Sequence, residues 1–179
     1  EKECQLKLYS FCQRFNQLSK FISDFIATEK LHLDKVFALS VRLDYLRKCL
    51  STPLYPVEIV AQVKCSCLND INSRLLKTAN QMKELTDVYN KALNSYRDLE
   101  ETSYKLDWES NADIIKGTPT QKPLSYILEK GYQYLFEYHL FVSHAKLHFE
   151  AVDVRNSETI ETFKNSLKLP KHLDIYVNE

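Results

Sequence analysis

The side chains that could bind a metal or move a proton lie in a few places along this chain. His144 and His148 are four residues apart, a spacing that turns two imidazoles toward one ion when the segment is helical. No carboxylate stands within that turn as a third ligand, and Ala145 follows His144 where a zinc hydrolase would carry its glutamate. The expectation is two solvated or partly packed histidines and no metal. Cys65 and Cys67 are two apart, which on a helix separates their side chains by about 200°. The five cysteines share no repeating interval, so reduced thiols fit better than a disulfide framework. No nucleophile, base and orienting group occur together in a recognisable order. The chain has only two glycines, Gly117 and Gly131. Phosphate loops and nucleophile elbows both need more. A conventional active site and a cofactor are therefore not expected, although a helical bundle can assemble a site from distant residues.

Long helices must position whatever these residues do. Sixty consecutive residues between Pro56 and Gly117 contain neither glycine nor proline, so nothing in them forces a turn. A first helix is predicted from about Leu6 to Leu50, with a seam at Leu8, Phe11, Phe15, Leu18, Ile22 and Phe25. The same phase continues through Glu29, His32, Val36, Leu39, Leu43, Leu46 and Leu50. Pro53 and Pro56 mark a turn over 51–56. The second helix runs to about Leu106, with a seam at Leu68, Ile71, Leu75, Ala79, Met82, Leu85, Tyr89, Ala92 or Leu93, Tyr96 and Leu99. Residues 107–123 read as the linker and hold Trp108, the lone tryptophan. A third helix follows from Leu124 to about Val152, with Ile127, Gly131, Leu135, Tyr138, Val142, Ala145, Phe149 and Val152 on one face. A short fourth, capped at Asn156-Ser157, ends near Leu169, and Pro170 stops it. The predicted class is all-α: an elongated helical bundle with long antiparallel, coiled-coil-like helices. Residues 1–106 form a hairpin on which the Tyr-rich segment 124–179 packs as part of one domain.

Glu29 and His32 occupy seam positions that want apolar side chains. Three placements are open: a local rotation that exposes both, a polar contact with another protein, or a pairing that fixes helix register. The third helix carries more aromatics than one buried face holds, among them Tyr126, Tyr132, Tyr134, Tyr138, Phe136, Phe141 and Phe149. Tyr132, Phe136 and Phe141 lie off its seam, so the helix is either covered on two sides or presents an aromatic surface.

Lys plus Arg equals Asp plus Glu at 24 each, and only residues 1–50, with nine basic against six acidic, are mildly positive. Nucleic acid is not an expected partner. No apolar run reaches the ~20 residues of a membrane span, and Glu1-Lys2-Glu3-Cys4 does not open a signal peptide. The reading is an intracellular, most simply cytoplasmic, domain excised from something longer.

The segment Ile22-Ser23-Asp24-Phe25-Ile26-Ala27-Thr28-Glu29, followed by His32-Leu33 and Val36, resembles the first conserved region of Dbl-homology exchange factors for Rho-family GTPases. Asp24 stands where that family has the glutamate that contacts switch I, and His32 stands where it has tyrosine. Asp70-Ile71 looks like the Asn-Ile of the next family helix. Phe141 to Ala151 is similar to the aromatic second region, with Phe163 following. The resemblance covers about half of the chain and does not include the family's third region. It implies a helical domain that remodels a small GTPase through Asp24 and Thr28-Glu29, with no covalent chemistry. The first two helices are also similar to F-BAR domains, which implies a membrane-associated dimer; balanced charge counts against that partner.

The leading functional expectation is a non-enzymatic protein-protein interaction or scaffold domain within a larger protein or complex. Asp24, Thr28, Glu29, His32, Tyr132 and Phe136 are its candidate partner-binding residues. A helical segment or a small GTPase is the expected partner, and self-association is compatible with the seams.

Overall fold

The computed structural model describes residues 1–49 and 56–169. Five helices follow one another: α1 (Lys2–Cys49), α2 (Val57–Ser103), α3 (Asp113–Lys116), α4 (Leu124–Glu150) and α5 (Ser157–Ser166). No strand occurs among the described residues, so the protein is an all-α helical bundle in which α1 and α2 pack together. The turn expected over 51–56 lies outside the described residues except for Pro56, as do Leu50 and Pro170.

The chain divides into two compact units that do not follow the helix ends. One is built from Glu1–Ile22 and Leu85–Val142, the other from Ser23–Glu84 and Ser143–Lys168. In the first, the start of α1 runs antiparallel to the end of α2, and α4 lies against both. Leu8, Phe11, Leu18 and Ile22 are buried with Leu85, Tyr89, Tyr96 and Leu99 and with Leu135, Tyr138 and Phe141. Each such side chain contributes about 1.5–3 kcal/mol when taken out of water. Aromatic rings knit the three helices. Phe11 meets Tyr96 edge-on at 5.5 Å, and Phe15 lies 5.9 Å from Tyr134 and 5.7 Å from Tyr138. The Tyr138 hydroxyl is 2.7 Å from Ser19 Oγ, and Tyr96 donates to the Leu128 carbonyl at 3.1 Å.

Both glycines serve identifiable ends. Gly131 sits where α4 meets both long helices: a Cβ there would stand 2.9 Å from the end of the Phe11 ring and 3.3 Å from Tyr96. Gly117 ends α3 with φ +80°, a left-handed conformation open to glycine, and its amide closes on Asp113 O at 2.8 Å. The segment expected as linker thus contains α3, whose Ile114 is buried, and an isolated bridge between Thr118 and Gln121. Trp108 stays 41% exposed there.

In the second unit, Phe25, Leu33, Val36 and Leu43 of α1 are buried with Val60, Cys67, Ile71 and Met82 of α2 and with Ile160, Phe163 and Leu167. Phe149 and Phe163 meet as tilted rings 5.6 Å apart. The turn before α5 is tied down twice. Ser40 Oγ, fully buried, donates to the Val154 carbonyl at 2.9 Å, and Asn156 caps α5 by accepting from the Glu158 amide at 3.0 Å. Lys164 pairs with Asp34.

The inward face of α1 differs from the seam expected beyond Glu29. Leu33 and Ser40 are buried where His32 and Leu39 were expected. The row of sevens through Leu8, Phe15, Ile22, Glu29, Val36 and Leu43 is kept; its companion row moves by one residue. A helix that is not supercoiled drifts by about 20° per heptad. Three heptads therefore carry the inward face far enough to trade each companion residue for the next. On α2, Thr78 rather than Ala79 is buried, because it stands in the strict row Ile71, Thr78, Leu85, Ala92 and Leu99.

Candidate functional site

Each long helix has one buried polar residue in its row of sevens, Glu29 on α1 and Thr78 on α2, and the two face each other. Glu29 is fully buried. Its Oε2 accepts a 2.6 Å hydrogen bond from Thr78 Oγ1. Its Oε1 lies 3.5 Å from His32 Nδ1, close enough for charge pairing, yet neither atom makes a hydrogen bond. Arg74 Nε and Gln81 Oε1, one turn to either side of Thr78 on α2, are likewise buried without a hydrogen bond. Burial pushes the Glu29 carboxyl above the ordinary glutamate range; the Thr78 hydrogen bond and the nearby His32 pull it back only in part. Of the three placements open for Glu29, the structure adopts the pairing. The carboxylate is enclosed, with Oε2 held by Thr78. His32, with 28% of its side chain exposed, sits at the edge of the same cluster.

The other candidates lie at the surface. Asp24 is exposed and Thr28 half-buried, both on the α1 segment that carries Glu29. Tyr132 and Phe136, in the other unit, are 62% and 52% exposed. Asp24, Thr28, Glu29 and His32 thus belong to one unit and Tyr132 and Phe136 to the other. Tyr132 and Phe136 belong to a groove of about 420 Å³ between α2 and α4. Tyr89, Asn90, Leu93, Tyr96, Arg97 and Glu100 line one side, and Tyr132, Leu135, Phe136 and His139 the other. His139 lies over Tyr89 at 5.7 Å. Leu140, also exposed, continues the α4 ridge by one turn. A smaller hollow of about 260 Å³ between α1 and α4 is lined by Phe11, Phe15, Tyr126, Ile127 and Tyr134. Phe141, expected off the seam, is buried.

Thr78 is the residue that sequence reasoning missed. The signal was present: a carboxylate in a buried row demands a donor from the facing row, and Thr78 is seven residues from both Ile71 and Leu85. The adjacent apolar Ala79 fits the same seam and masks it. Among the described residues, no three or more His, Cys, Asp or Glu side chains come together in a way that could hold a metal ion. His144 is exposed and His148 half-buried. Cys65 is exposed and Cys67 buried, facing apart as their spacing requires. No described helix is long and apolar enough to cross a membrane. Comparison with protein families, curated proteins and solved structures finds no match to the chain.

Proposed function

We propose that this chain is a non-enzymatic protein-interaction domain that receives an amphipathic helix of another protein along the α2–α4 groove. The observation that carries the reading is the ridge Tyr132, Phe136 and Leu140, large apolar side chains at four-residue intervals that stay exposed beside a concave aromatic wall. Tyrosine and phenylalanine in such a setting supply much contact area for little loss of freedom. Arg97 and Glu100 on the opposite wall favour a partner helix with an apolar stripe flanked by one acidic and one basic residue.

The test places a photo-activated cross-linker at Leu140 and compares the parent with Tyr132→Ser/Phe136→Ser. These side chains are largely exposed, so the circular dichroism spectrum is expected to persist. Loss of the cross-linked species in the double variant supports the groove; an unchanged species removes it.

The alternative, an exchange-factor-like module, draws on the exposed Asp24 and half-buried Thr28, while the inward Glu29 leaves that contact incomplete. Nucleotide release from Rho-family GTPases at the intrinsic rate would sink it. For the third reading, a membrane-associated dimer, failure to co-sediment with anionic vesicles is decisive.

A further inference from the structure

A second concavity, in the unit built from Ser23–Glu84 and Ser143–Lys168, has a different chemistry. Its volume is about 470 Å³, and it is lined by Leu43, Arg47, Lys64, Leu68 and Arg155. We propose that it is an anion site for the phosphoryl group of a phosphate monoester.

The construction follows from the antiparallel helices. On α1, Leu43 and Arg47 are four residues apart; on α2, Lys64 and Leu68 are four apart in the opposite sense. Each helix thus offers one leucine and, a turn away, one cation, and the two offers meet in one hollow. The third cation comes from the turn before α5. Its backbone is fixed beside Arg155 by the buried Ser40, which donates to Val154 O at 2.9 Å. Asp153 turns its Oδ1 to the Arg155 backbone amide, from which it accepts at 2.8 Å. Asp44 reaches Arg47 at 3.2 Å. Among the described residues, neither Lys64 nor Arg155 is in an ion pair.

The hollow therefore presents two cations, Lys64 and Arg155, that no carboxylate holds in an ion pair among the described residues, in a protein whose formal net charge is zero. A phosphoryl group carries about −1.5 to −2 near neutral pH and offers three acceptor oxygens. It matches both the charge and the planar donors of two arginines. The volume exceeds what one phosphate needs, and Leu43 and Leu68 supply an apolar wall for the ester's organic part.

The test titrates phenyl phosphate, inorganic phosphate and a phosphoserine peptide into the protein at low ionic strength, read by calorimetry. Saturable binding of phenyl phosphate is expected, several-fold tighter than inorganic phosphate and weakening as salt is added. Lys64→Gln/Arg155→Gln is expected to lower that affinity at least tenfold. Lys146→Gln, which removes a cation paired with Glu150 elsewhere on the surface, leaves it unchanged. Circular dichroism checks that each variant is folded. The peptide distinguishes a protein-borne phosphate, if it binds tighter than phenyl phosphate, from a small-molecule one, if it binds weaker. Absence of saturation, or equal binding by the double variant, overturns the proposal.

Discussion

Glu29 shows what one buried carboxyl does to a helical pair. Its folded-state titration lies above the ordinary glutamate value of 4.5, chiefly because burial penalises the anion. The native state then holds a proton over a pH range in which the unfolded chain has released it. The stabilisation is complete below the ordinary value and is lost as pH rises through the raised one. Glu29→Gln keeps an acceptor for Thr78 and removes the charge. It is expected to gain about 1 kcal/mol at pH 8, with the gain vanishing toward pH 4, as urea denaturation at the two pH values will show. Thr78→Val, which deletes the hydroxyl donor to Glu29 Oε2 in a near-isosteric side chain, is expected to cost about 1.5–3 kcal/mol at pH 8. Tyr96 gives the alkaline counterpart. Its phenol is pushed up to about 12, mainly by burial and secondarily by the charges of its neighbours. It donates to Leu128 O, a bond that only the neutral phenol can make. Stability should fall as pH rises from 10 to 12, and Tyr96→Phe should lose about 1 kcal/mol at neutral pH and flatten that alkaline slope.

At the scale of elements, the contact of α4 with α1 and α2 depends on the absence of a side chain at Gly131. Gly131→Leu must displace Phe11 or tilt α4, and is expected to cost more than about 2 kcal/mol, as overpacked cores do. Gly131→Ala gains about 1 kcal/mol of helix propensity against a smaller clash, so it should cost much less; thermal unfolding of both variants separates packing from propensity. The helices themselves were legible because a run without glycine or proline leaves the apolar period uninterrupted. The observed ends of α1 and α4 fall within four residues of those expected. Phase was legible only where rows of sevens were filled by large apolar residues. It went astray at His32, Leu39 and Ala79, where a helix drifting from strict heptads, or a polar residue in a buried row, decides which neighbour turns inward. Tyr132 and Phe136 could be named as surface candidates from their angle on the helix. Their groove could not, since its opposite wall belongs to α2 residues more than thirty positions earlier, and nothing local in the sequence joins them.

For the whole molecule, equal numbers of acidic and basic residues and a sequence isoelectric point near 7.2 leave little net repulsion between copies at neutral pH. With Tyr132, Phe136 and Leu140 exposed, light scattering should show self-association strongest near pH 7 and weaker at about pH 5.5 and about pH 9. Tyr132→Ser/Phe136→Ser should reduce the maximum if the groove ridge is the sticky surface. The division into two compact units, each with its own buried cluster, makes local measurements more telling than a single melting curve.

Trp108 affects how that unfolding can be watched. The chain's lone indole sits in the connection before α3 and is already 41% open to solvent in the folded protein. Its emission should start red-shifted and move little on denaturation, whereas the near-ultraviolet signal of the packed tyrosines collapses. A fluorimeter tuned to tryptophan would report the condition of one surface loop while the helical cores came apart unseen.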